Sequence, residues 1–284
     1  DNMTVSTVSD LNSLFNLIYE DALFVARETN MMSNLVTQLS ARGWMDRKVG
    51  IYPEISAVAV GEDEDFTSPT IFDKTLHATL TPGETMSQVL LSDRRIDTDP
   101  DDARREAAQE LGASLAKKID QDLLGDFASF STDKGPGAAG TATIARFAAA
   151  VTYLRNQNAP NPVYVVLHPY QWHRIWLELG QPAATKALLG DVANRALLDF
   201  YVGEWLQCQW FVSSNITADA SDDAIAGVFN RQALALDVRK PPTFEFERDA
   251  SKRAWEINAS AGYAHGVWRS AFGVKYTSDA SEPS

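Results

Sequence analysis

Cysteine is nearly absent from this chain. Cys208, in Trp205-Leu-Gln-Cys-Gln-Trp210, is the single thiol among 284 residues. No disulfide can form within the chain, which fits a reducing compartment or a fold that needs no staple. In that apolar setting Cys208 is expected to be a half-buried small residue and not a nucleophile. Histidine is scarce as well. His168 and His173 stand five apart, roughly 140° around a helix, so they do not share a metal as an i, i+4 pair would. His168 is expected to end a strand and to cap the helix after it.

No apolar run approaches the roughly 18 residues that cross a bilayer. Asp1 begins no signal peptide; a start at Asp is expected to reflect loss of the first residue or of a longer leader. Basic residues are outnumbered, 25 Lys plus Arg against 38 Asp plus Glu, for a net charge of −13. Arg94-Arg95, Arg104-Arg105 and Lys117-Lys118 are isolated doublets. Such a surface has no basic footprint for gripping nucleic acid.

Catalytic motifs are missing too. There is no Gly-x-Ser-x-Gly elbow, no His-Glu-x-x-His and no dinucleotide fingerprint, and the glycine-rich stretch 131–140 is not followed by Gly-Lys-Ser or Gly-Lys-Thr. With 38 acidic residues, pairs such as Glu106 and Glu110 arise by chance. Neither an acid–base pair, a metal site nor a cofactor is expected.

What is present is organised around the stretch from Asp99 to Phe127. Asp99 can cap a helix, Pro100 suits its first position, and Asp101 and Asp102 complement its dipole. Ala103, Ala107, Leu111, Leu115, Ile119 and Leu123 recur every four residues, with Ala108, Ala116 and Leu124 beside them. Each step of four overshoots a turn by about 40°, so the row winds around the helix. A drifting row suits a long helix that crosses several partners. Asp120 and Asp122 are expected to pair with Lys117 or Lys118.

Before this helix, Leu11, Phe15, Ile18, Ala22 and Val25 mark an amphipathic helix capped by Asp10. Leu35 to Leu39 continues the helical pattern until Gly43-Trp44-Met45 stops it. Residues 45–90 change character. Val49, Ile51, Ile55, Val58 and Val60 lead to the acidic run Glu62-Asp-Glu-Asp65, and Phe72 to Leu80 returns, with Leu76, Ala78 and Leu80 alternating with polar residues. The simplest reading is a long two-stranded excursion. An isolated hairpin is marginal, so another subunit is expected to hold it.

After the long helix, Thr143 to Arg155 reads as a helix, Val163 to Leu167 as a buried strand, Tyr170 to Leu179 as a helix, and Pro182 opens another. Strands follow at Trp210-Phe-Val212, Ile225 to Phe229 and Ala233 to Val238, so residues 142–238 suggest a mixed α/β unit. The last part is strand-rich: Phe244 to Glu247, Trp255 to Trp268, and Phe272 to Tyr276 closing the same sheet. Trp205, Trp210, Trp255, Trp268, Tyr201 and Tyr263 exceed what one modest sheet buries and are expected at interfaces.

In combination these segments resemble the major capsid protein of tailed bacteriophages. Pro100-Asp-Asp-Ala-Arg-Arg-Glu-Ala-Ala-Gln-Glu-Leu-Gly-Ala-Ser-Leu-Ala-Lys-Lys-Ile-Asp-Gln-Asp-Leu-Leu-Gly125 resembles the family's long spine helix. Val163-Tyr-Val-Val-Leu-His-Pro169 with Tyr170-Gln-Trp-His-Arg-Ile-Trp176 resembles its axial-domain strand and helix, and Gly262-Tyr-Ala-His-Gly-Val-Trp268 its returning strands. The resemblance covers nearly the whole chain.

The resemblance implies an α+β chain with the HK97-like capsid fold. Its expected divisions are an N-terminal arm (1–44), an extended loop (45–90) and a peripheral domain with the spine helix (91–141). A mixed α/β axial domain (142–240) follows, then return strands of the peripheral domain with a tail (241–284). Copies are expected to form hexamers and pentamers of an icosahedral shell around double-stranded DNA, in a virion assembled in the host cytoplasm. The expected partners besides other copies are a scaffold protein, a portal and a decoration protein; no membrane is involved. The acidic balance fits a wall that must not grip its DNA. Leu11, Phe15 and Ile18 are expected to anchor the arm, and Phe66, Ile71 and Phe72 to meet the next subunit from the loop. No lysine and asparagine pair for a covalent crosslink between loops can be identified. Two alternatives stand beside this reading: an encapsulin shell around protein cargo, against which the 30-residue arm argues, and a soluble α/β enzyme with its site in residues 142–240.

Overall fold

A computed structural model describes residues 31–52, 55, 57–60, 62, 71, 73–94, 100–180 and 203–283. Leu11, Phe15, Ile18, Phe66 and Phe72, the N-terminal helix and the helix opened by Pro182 lie outside them.

The chain order is α1 (Met32–Leu35), β1 (Thr37–Ser40), β2 (Arg47–Ile51), β3 (Thr75–Leu80), β4 (Gly83–Ser92) and α2 (Pro100–Gly125), closed by a 3-10 turn at Asp126–Ser129. Then come α3 (Ile144–Asn156), β5 (Val163–Leu167), α4 (Pro169–Gly180), β6 (Glu204–Trp205), β7 (Cys208–Val212) and β8 (Asp223–Asn230). Two long strands, β9 (Leu234–Asp249) and β10 (Ala254–Val267), precede β11 (Gly273–Asp279).

Three sheets result. The first has the order β1-β9-β10-β4, the second β11-β8-β5-β7-β6, and the third is the hairpin β2-β3. In the first, β1 runs parallel to β9 while β10 is antiparallel to both β9 and β4. In the second, β5 is parallel to β7 and antiparallel to β8. Excursion strands β2 and β3 pair from Arg47↔Leu80 to Ile51↔Thr75.

The drifting row of α2 has a physical partner at each stage. Ala107, Leu111, Leu115, Leu123 and Leu124 share one core with Leu91, Ile257, Ala259 and Ala261 of the first sheet and with Tyr164, Val166 and Phe229 of the second. A straight stripe would serve one sheet; this row turns to serve two.

β5 explains the unbroken apolar run Val163 to Leu167. All five residues are buried, and by the period of two they point alternately into different cores. Tyr164 and Val166 face the core of α2; Val163, Val165 and Leu167 face a second core with Phe147, Leu154, Trp172 and Ile175 from α3 and α4.

Several sequence expectations are corrected. The helical pattern does not persist to Leu39: α1 ends at Leu35 and Thr37–Ser40 is a strand, because the ladder to Ala235–Val238 satisfies its backbone. Residues 83–90, counted with the excursion, belong to β4, which pairs with β10 from Gly83↔Tyr263 to Ser92↔Ala254. β11 does not join the other return strands; it pairs with β8 in the second sheet, where Val274 and Tyr276 fill the second core. Trp205 and Trp210 are not interface residues. They are buried, their rings stack at 4.1 Å, and the Trp210 indole N–H donates to the Trp205 carbonyl at 3.0 Å. Cys208 beside them is fully buried, and burial pushes its thiol up to about 11.

Candidate assembly surface

Pro241 and Pro242 interrupt β9 with residues that cannot donate to a ladder. The pairing with β10 slips there, jumping from Ser260↔Thr243 to Gly262↔Lys240. Trp44 lies over this irregularity: a Cβ on Gly262 would stand 2.7 Å from its indole Cη2. The chain thus leaves the first sheet across a glycine that no other residue could replace without moving Trp44.

Next to it, the root of the hairpin is held by charge. The Asp237 carboxylate is fully buried and receives Arg47 Nε at 2.6 Å and Arg239 Nη2 at 2.8 Å. Arg47 also donates to the Ser40 carbonyl and Arg239 to the Gly43 carbonyl. A buried carboxylate needs such company, because an unpaired charge there is expensive. The sequence reading did not single out Asp237. A lone acid inside Leu234-Ala-Leu-Asp-Val was the available signal.

Beyond this root the hairpin exposes apolar residues. Tyr52, Ile55, Val58 and Val60 are exposed, and Ile71 is 77% exposed. Ile71 is the one predicted contact residue among the described residues, and it has no apolar neighbour of its own to cover it. Singly exposed apolar residues are ordinary, but a group on one two-stranded excursion marks an interaction surface.

Two polar clusters fix α2 beneath this surface. Asp120, expected to pair with a lysine, is instead buried and accepts the Met32 N–H and the Asn215 side-chain amide, each at 2.9 Å. Asp122 does pair with Lys118, at 2.6 Å, and also accepts the Tyr263 hydroxyl at 2.6 Å, while Thr85 donates to that hydroxyl. Burial, then the Asp122 hydrogen bond, pushes the Tyr263 phenol well above its ordinary range. His265 Nδ1 lies 2.9 Å from Asp126 Oδ2. That hydrogen bond raises the imidazole pKa, against the opposing effect of burial.

His168 does what its position suggested: its Nδ1 accepts the Tyr170 N–H at 3.2 Å and its carbonyl the Trp172 N–H at 3.1 Å, opening α4. Burial lowers its pKa. Among the described residues no three His, Cys, Asp or Glu side chains group as a metal site. A cleft at the end of α2 is lined by Gln121, Leu124, Ala128, Asn215, Ile216 and Ile225 among others, none of them titratable.

This architecture has known counterparts. A family model described as phage capsid protein matches residues 87–276. No curated protein matches the chain. Among solved structures, the capsid of the cyanophage P-SCSP1u is similar with a TM-score of 0.70 at 16% identity, over 89% of each chain. A structure from Mycobacterium phage Che8 gives 0.62 at 19% identity, over 81% of this chain and 85% of the other. A virus-like particle from Pyrococcus furiosus gives 0.59 at 10% identity, over 90% and 96%.

Proposed function

The chain belongs to the phage capsid protein family, and on that premise we propose that it is the major capsid protein of a tailed phage, closing as hexamers and pentamers into an icosahedral head around double-stranded DNA. The observation that carries this reading is the hairpin β2-β3: it is rooted on a buried Arg47–Asp237–Arg239 cluster yet leaves Tyr52, Ile55 and Ile71 exposed. A firm root and an uncovered apolar surface suit an element whose partner is another copy. Phe66 and Phe72 belong to the same contact, and Leu11, Phe15 and Ile18 to an arm on a neighbouring subunit. The net charge of −13 suits a wall that encloses DNA without gripping it. Scaffold, portal and decoration proteins are the further partners of this role, and assembly takes place in the host cytoplasm.

The test is Ile71→Asp. Its side chain is exposed in the subunit, so folding stability should change by no more than about 0.5 kcal/mol, while a buried unpaired charge at the contact should abolish shells. Normal shell yield from this variant contradicts the assigned contact.

A further inference from the structure

β4 ends the first sheet, and among the described residues no strand pairs with its outer side. Sheets commonly protect such an edge with shortness, lysine, proline or a bulge. β4 uses none of these. It is ten residues long, Gly-Glu-Thr-Met-Ser-Gln-Val-Leu-Leu-Ser, paired to β10 without a register break. Its one charge, Glu84, sits at its start, and Met86 and Leu90 are exposed.

The same chain carries an unpaired strand-former. Residues 57–60 read Ala-Val-Ala-Val, lie outside every sheet ladder and are exposed throughout. Four residues at about 3.3 Å each span roughly 13 Å, well within the roughly 33 Å of β4. Between them, an undefended edge and an unused strand segment have the requirements of strand addition, in which main-chain bonds supply affinity.

We propose that residues 57–60 of one copy add as a fifth strand to the outer edge of β4 in the next copy. This rests on the shell-forming reading above and names the acceptor of its hairpin. Donor and acceptor are different surfaces, so the contact is head-to-tail and generates rings when the rotation closes. Charge sets the direction. Glu62, Asp63, Glu64 and Asp65 follow the donor segment. A parallel alignment carries them away from Glu84 and toward Arg253, whose carbonyl accepts the Asp93 N–H just past the end of β4.

Proline substitution tests the proposal, because alternate N–H groups of a strand point to opposite sides. Two full-length variants are compared, Ala57→Pro/Ala59→Pro and Val58→Pro/Val60→Pro, with Val58→Ala/Val60→Ala as the control for lost side chains. The expected result is that one proline pair blocks shell formation and the other is tolerated. Losing two main-chain bonds weakens each contact roughly tenfold or more. If both pairs assemble normally, or both fail alike, strand addition is overturned. Hydrogen exchange of shells against unassembled subunits supplies a second readout: residues 85–91 and 57–60 become protected together, and unchanged exchange at either contradicts the proposal. If the unsubstituted chain forms no shells at all, the shell-forming reading itself fails, a separate outcome.

Discussion

Asp120, near the end of the long helix, accepts the main-chain N–H of Met32, 88 residues earlier in the chain, at 2.9 Å. Its second oxygen holds Asn215 at the same distance. One buried carboxylate therefore fixes the point where the chain enters the fold and the loop between β7 and β8. Replacing Asp120 with Ala leaves a buried donor and an amide unpaired, and should cost about 1–3 kcal/mol. Asn215→Ala should cost less. Denaturant unfolding of unassembled subunits measures both.

The hairpin root makes a sharper prediction. Asp237→Ala would leave two guanidinium groups facing an empty carboxylate site, with Arg239 almost fully buried. Breaking such a cluster from one side costs about 3–5 kcal/mol. Hydrogen exchange should also rise in Arg47–Ile51 and Thr75–Leu80 beyond the rest of the first sheet. Unchanged exchange there would show that the cluster does not hold the hairpin.

How much of this could be read from the residues alone differs by element. The four-residue spacing from Ala107 to Leu123 predicted a long helix with a winding row, and α2 meets both sheets with it. Val163 to Leu167 was legible because a strand buried on both faces needs an unbroken apolar run. Asp120 was not legible. Helical spacing places it one turn from Lys117, and nothing local says that its face meets Met32 and Asn215. The tryptophans misled for a related reason: Trp205 and Trp210 are close in sequence, and only the tight turn between β6 and β7 stacks them into a core.

Close packing inside the larger core gives a further prediction. A Cβ at Gly227 would stand 2.7 Å from the Phe127 ring, which is itself wedged against Phe130 and Phe229. Gly227→Ala should therefore destabilise by about 1–3 kcal/mol through overpacking. A melting temperature equal to that of the unsubstituted chain would mean that Phe127 has room to move.

The pH response follows from His265. Its pKa is raised in the fold, chiefly by the hydrogen bond to Asp126. Its contribution is thus fully present below the unfolded value, about 6.5, and is lost as pH rises through the raised folded value. His265→Gln should cost about 1 kcal/mol near pH 5.5, allowing for partial exposure, and much less near pH 9. A cost independent of pH would assign His265 a packing role only.

The central claim is that copies of this chain close into a shell. The most direct measurement is negative-stain microscopy of native material, with its particle mass and nucleic-acid content. Closed shells of several tens of nanometres containing double-stranded DNA are the predicted result. A dimer or tetramer without nucleic acid would contradict it.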